Sequence, residues 1–176
     1  MTDSAVIAFM RGAGTDPAGR RIADIWTWDH RRLEMVHDYI QWLFPLPEPS
    51  RFNPDAPLLS AADIAALRAD ADLRARVLRS LDLMLAFLGL VRTPAGVARG
   101  ADFAARSANW LEVANHNHLR LTRILLFLGH AGLAAEAAAL FACLADIAAH
   151  EGRGRIADRT LAFWRDALTS PRTSNH

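Results

Sequence analysis

The chain contains no lysine; all twenty basic residues are arginine. Arginine holds its charge at any working pH and presents a planar fork that matches carboxylates and phosphates. With so many alanines beside it, the bias fits a GC-rich coding sequence, so arginine content alone carries no functional message. Cysteine is nearly absent. A single thiol, Cys143, excludes a disulfide framework and a cysteine zinc cluster. It sits in an Ala/Leu run with no cation at helical spacing, which reads as a small buried hydrophobe.

Long apolar runs are missing too. Residues 124–149 come nearest, but Gly129, His130, Gly132, Glu136 and Asp146 interrupt them. A membrane-spanning helix needs about 20 consecutive apolar residues, so two buried helices joined by a glycine turn fit better. Asp3 precedes the first apolar run and no basic segment does, so no secretory signal is read there. The expected setting is cytoplasmic, with no transmembrane segment. A net charge of +1 gives no bulk pull towards nucleic acid or anionic lipid, and 52% apolar residues exclude a disordered chain. No phosphate-cradling Gly-rich loop occurs, and Ser80, Ser107, Thr122 and Cys143 have no recognisable base partner. Sustained alternation is lacking, so no strand is expected.

What is present is helical periodicity. The spacing predicts an all-α fold: a single compact bundle of about six to eight helices with a proline-rich strap. One domain is expected over residues 1–170 and a flexible tail over 171–176. At its centre stands a helix over residues 30–44, capped by Asp29 and apolar on most faces. Leu33, His37, Ile40 and Phe44 form its inner stripe, and Met35, Tyr39 and Trp42 a second row. Pro45, Pro47, Pro49, Pro54 and Pro57 then hold the strap, packed through Leu46, Phe52 and Leu58. Ser60 and Asp63 resemble a capping box for the next helix. Residues 71–88 carry the stripe Leu73, Val77, Leu81, Met84 and Leu88, closed by Gly89. Residues 91–101 read as an exposed connection. Asn115 or Asn117 caps a helix over residues 116–128, and further helices follow the Gly129–Gly132 break and residue 156.

Candidate chemistry is sparse. His116, Arg120 and Arg123 share one helix face, beside a helix start that favours anions. Two forks there suit a carboxylate or phosphate, a small anion included. The same arginines equally suit pairing with Asp38, Glu34 or Glu112 to lock helices together. His37 reads as a core histidine satisfied by one hydrogen bond. Glu34 and His37 make one Glu-x-x-His pair, without the second pair that a di-iron bundle needs. His116 and His118, two residues apart on a helix, point away from one another and do not share one metal. No metal site, cofactor or catalytic residue is assigned.

Two stretches resemble a known family. The run Tyr39-Ile40-Gln41-Trp42-Leu43-Phe44-Pro45-Leu46, preceded by His37, is similar to the signature of the opioid growth factor receptor conserved region. So is His116-Asn117, Leu119-Arg120, Thr122-Arg123-Ile124-Leu125, and residues 81–89 resemble the helix between. The resemblance implies a non-catalytic, receptor-like domain that engages a peptide or protein partner, with His37, Gln41, Trp42, His116, Asn117, Arg120 and Arg123 as ligand-binding candidates. The expected groove lies between the central helix with its strap and the helix bearing Arg120 and Arg123, with Tyr39 adding aromatic contact. Three other readings stay open: a metal-assisted enzyme using His37 and His116 or His118, phosphate or nucleic-acid binding by the arginine stripe, and a structural homodimer.

Overall fold

The computed structural model describes residues 2–169; the expected tail over 171–176 lies outside them. Among the described residues there are ten helices and one two-stranded sheet. The chain is thus mostly helical. Contacts divide it into two compact units, Met1–Leu83 and Met84–His176.

The first unit opens with α1 (Ala5–Arg11), whose N-cap Ser4 accepts a hydrogen bond from the Ile7 N–H. Ser4 Oγ also donates to Asp63 Oδ1 at 2.6 Å. Asp63 closes the capping box of α5 (Ala61–Ala69) through the Ser60 N–H, so one carboxylate joins two helix starts. Arg11 bridges Asp3 and Asp70, and its guanidinium holds the Asp70 carboxyl below the usual range. Asp70 in turn caps α6 (Ala71–Leu88), inside which the boundary between the units falls. Its predicted stripe of Leu73, Val77, Leu81, Met84 and Leu88 is buried throughout.

The expected helix over 30–44 is not continuous. It is split into α3 (His30–Met35) and α4 (Ile40–Leu43), after the short α2 (Ile22–Ile25). Val36 turns extended, at φ −93° and ψ 134°. The Tyr39 hydroxyl then donates to the Leu33 carbonyl at 2.9 Å, replacing the His37 N–H that a continuous helix would direct there. Tyr39 is thereby fully buried, while Met35 is 65% exposed and leaves the expected inner row. After α4 the loop's ends are joined by the Leu59 N–H on the Leu46 carbonyl. Leu46 and Leu59 are buried; Phe52 is 81% exposed and Leu58 is exposed too, so neither anchors the loop as the sequence reading had it.

The second unit corrects the expectation of no strand. Residues 91–101 lie mainly in a hairpin, with β1 (Leu90–Thr93) antiparallel to β2 (Gly96–Arg99) and Leu90 opposite Arg99. Thr93-Pro94-Ala95-Gly96 has turn chemistry, with Pro at the second position and Gly at the fourth. Arg99 clamps β2 with a two-pronged bond to Glu151 and an ion pair to Asp146; its hydrogen bonds hold the Glu151 carboxyl below its ordinary value. After α7 (Phe103–Ser107) come α8 (His116–His130), α9 (Ala134–Ala149) and α10 (Asp158–Ala167), with α8 packed on both α9 and α10. Burial raises the Cys143 thiol pKa, which favours the protonated thiol.

Candidate functional site

The seven residues singled out from the sequence fall into two groups. His37, Gln41 and Trp42 belong to the first unit; His116, Asn117, Arg120 and Arg123 belong to the second.

In the first group, His37 is not on a helix stripe and not in the core. It lies exposed in the break between α3 and α4. Gln41 is buried; with its amide turned so that the nitrogen faces the acceptors around it, it donates to the carbonyls of His37 at 3.1 Å and Asp38 at 3.2 Å. Those carbonyls belong to the interrupted turn, so Gln41 satisfies acceptors that the break leaves open. Trp42 is buried edge-on against Phe9, with ring centroids 5.2 Å apart. Replacing Gln41 with leucine is expected to destabilise the chain by about 1–2 kcal/mol, because two carbonyls lose one donor group; urea unfolding measures this. A neutral result would mean that the break needs no bridge.

Asp38, considered above as a partner for the α8 arginines, pairs with Arg20 at 3.0 Å. Arg20 also reaches the buried Asp16 at 2.6 Å. Beside this pair Trp28 is buried, with the Arg20 and Arg32 guanidiniums 5.4 and 4.3 Å from its ring. The sequence reading passed over Trp28, although a bulky apolar residue just before an N-cap is the hydrophobic-staple position.

In the second group, α8 starts at His116 and its cap is Asn115, which accepts from the Asn117 N–H at 2.9 Å. Ala114, just before it, holds φ at 58°, an uncommon conformation for a residue with a Cβ. Asn117 and Arg120 are buried, and Arg120 Nη1 donates to Asn117 Oδ1 at 3.3 Å. His116 is exposed and Arg123 half-buried. Between them on the helix surface, Leu119 is 57% exposed, and Val113 ahead of the helix is exposed as well. Positions 116, 119 and 123 recur at three and four residues, so one mixed cationic and apolar face results.

His118 turns inward. Its Nε2 donates to the Trp110 carbonyl at 2.9 Å, and its ring stands edge-on to Trp110 and Trp164. Burial lowers its pKa, so the imidazole is neutral. Because Nε2 carries the proton that it donates, that nitrogen has no lone pair to offer a metal. Among the described residues no group of three or more His, Cys, Asp or Glu is arranged to hold one. Nor is any helix there long and apolar enough to cross a membrane.

The class defined is a mostly helical chain whose signature residues bridge a broken helix in one unit and open a helix in the other. Over residues 10–175 the chain matches the family described as the opioid growth factor receptor conserved region. It is 41% identical to the mouse opioid growth factor receptor over 123 residues, 66% of this chain and 19% of that protein. The human opioid growth factor receptor is 39% identical over 123 residues, again 66% of this chain and 18% of that protein. The mouse opioid growth factor receptor-like protein 1 is 38% identical over 109 residues, 61% of this chain and 23% of that protein. The chain belongs to the opioid growth factor receptor conserved-region family. It spans about a fifth of the length of the curated relatives it matches. No solved structure matches it.

Proposed function

We propose that the chain is a non-catalytic, receptor-like binding domain that captures a peptide or protein segment bearing acidic and apolar side chains. The observation that carries this reading is the α8 face, where exposed Leu119 stands between His116 and Arg123. A cation next to exposed apolar surface suits a segment that brings a carboxylate and a hydrophobic side chain together. Membership of a family whose named relatives are receptors supports it. Of the other candidates, Asn117 and Arg120 support that face from the interior of the second unit, while exposed His37 and buried Gln41 and Trp42 belong to the first unit. A cytoplasmic setting and a bundle closed by its proline-rich loop belong to the same reading.

The test is a pull-down with immobilised domain. Leu119→Ser with Arg123→Ala is expected to leave the circular-dichroism spectrum and melting curve near wild type and to reduce specific capture about tenfold, the effect of losing one good charged contact. Undiminished capture by a folded double variant would remove the α8 face from the reading. Loss of capture between 50 and 300 mM salt from a nucleic-acid probe would favour the arginine-stripe alternative instead.

A further inference from the structure

A second surface stands apart from the α8 face in sequence and lies wholly within the first unit. Thr27, Trp28, Asp29, Arg31, Arg32 and Met35 line an open depression together with Val36. Its chemistry is unusual for this chain. The Trp28 ring forms one wall, fixed edge-on to the fully buried Tyr39 at 5.3 Å. Arg20 and Arg32 flank that ring. Met35 offers a thioether that is 65% exposed.

The charges there are not all internally matched. Arg20 is neutralised by Asp16 and Asp38. The Asp29 carboxylate accepts the Arg32 backbone N–H and caps α3. Arg31 and Arg32, both exposed, have no carboxylate partner among the described residues. The Arg31 and Arg32 forks therefore line an open depression together with a pliable apolar side chain, Arg32 lying over the Trp28 ring.

We propose that this surface docks an acidic peptide segment that carries at least one apolar side chain, separately from the α8 face. Arg31 and Arg32 bind its carboxylates, each fork offering paired N–H donors. Met35, exposed and with an unbranched thioether that adapts to irregular shapes, receives the apolar residue at the edge of the depression. A nucleic-acid strand fits less well: two unmatched cations release few counterions, and Asp29 and Asp38 stand close by.

The experiment uses the whole chain and a fluorescein-labelled dodecapeptide of alternating glutamate and leucine, read by anisotropy. A lysine/leucine peptide and a dT12 oligonucleotide serve as comparators. Arg31→Glu and Met35→Ser are made singly, because both positions are exposed and neither holds up the core. Binding of the acidic peptide alone, weakened about tenfold by each of these substitutions when they are made in an Arg123→Ala background that silences the α8 face, is the expected result. Equal affinity in Arg31→Glu/Arg123→Ala and in Arg123→Ala overturns the proposal. So does preferential binding of the oligonucleotide. Loss of the acidic peptide in Arg123→Ala and not in Arg31→Glu would assign it to the α8 face, leaving the proposed function standing and this surface without its ligand.

Discussion

Replacing Gly89 with alanine is expected to lower stability by about 3 kcal/mol, from a left-handed backbone penalty of about 1–2 and an overlap of similar size. Gly89 ends α6 at φ +79°. A Cβ at this position would lie 2.8 Å from the Phe103 Cα and 2.8 Å from the Arg106 Cβ. The first of these is backbone, so relief requires that α7 move. Gly89 cannot shift alone either, because its carbonyl accepts the Gly100 N–H at 2.7 Å and fixes the base of the hairpin. Gly19 supplies the control: φ is +77°, yet nothing lies within 4 Å of where its added methyl group would sit. Gly19→Ala should therefore show the backbone penalty alone. Urea titrations with unchanged m-values would measure both. Equal losses in the two variants would show that the contact with α7 relaxes freely.

The contrast bears on what could be read beforehand. The helix over 71–88 and its terminating glycine were legible because period, cap and C′ residue agree. The capping box at Ser60 and Asp63 was legible for the same reason, a local pattern whose partner lies within three residues, whereas the α8 cap was narrowed only to Asn115 or Asn117, of which Asn115 is the cap. The hairpin was not. Each strand has four residues and β1 buries only Leu90, so no alternation accumulates. The break between α3 and α4 escaped as well, since residues 30–44 have helical spacing and contain neither glycine nor proline before Pro45. It depends on the Tyr39 hydroxyl reaching the Leu33 carbonyl, and on Gln41 bridging the carbonyls of His37 and Asp38. Both are side-chain contacts that a periodicity does not encode.

The candidate residues divide along the same line. That His116, Asn117, Arg120 and Arg123 share α8 follows from their spacing. Which of them are buried does not. Asn117 and Arg120 turned out interior, His116 and Arg123 at the surface, and Leu119 proved more informative than either buried residue. The motif therefore joins two roles: part of it holds the helix start in place, and part of it faces outward. A family resemblance built on such a string identifies both roles at once and cannot separate them.

Replacing Trp164 with alanine is expected to be the most damaging change, costing about 3–5 kcal/mol at neutral pH. Trp164 is fully buried on α10, its indole N–H donates to the His118 carbonyl at 3.2 Å, and its ring stands 5.6 Å from the imidazole at 85°. The substitution should also change the acid response. Burial is the leading cause of the lowered His118 pKa, with the neighbouring His116 charge a smaller contribution in the same direction and the Trp110 carbonyl opposing both. A histidine harder to protonate folded than unfolded binds more protons in the unfolded chain. Its contribution to stability is then fully present above about pH 6.5, its unfolded value, and declines as pH falls below that until the folded pKa is reached. The wild-type chain should lose stability between about pH 7 and 5, with a slope from this group of no more than about 1.4 kcal/mol per pH unit. Trp164→Ala opens space for water beside His118, restores the ordinary pKa and removes that component of the slope. Trp164→Phe keeps most of the bulk, loses the N–H donor, and should fall between: a loss of about 1–2 kcal/mol with the slope largely retained. His118→Gln provides the reference without an imidazole. If the difference in stability between wild type and His118→Gln is the same at pH 7 and pH 5, His118 does not couple folding to pH, and the aromatic pair serves packing alone.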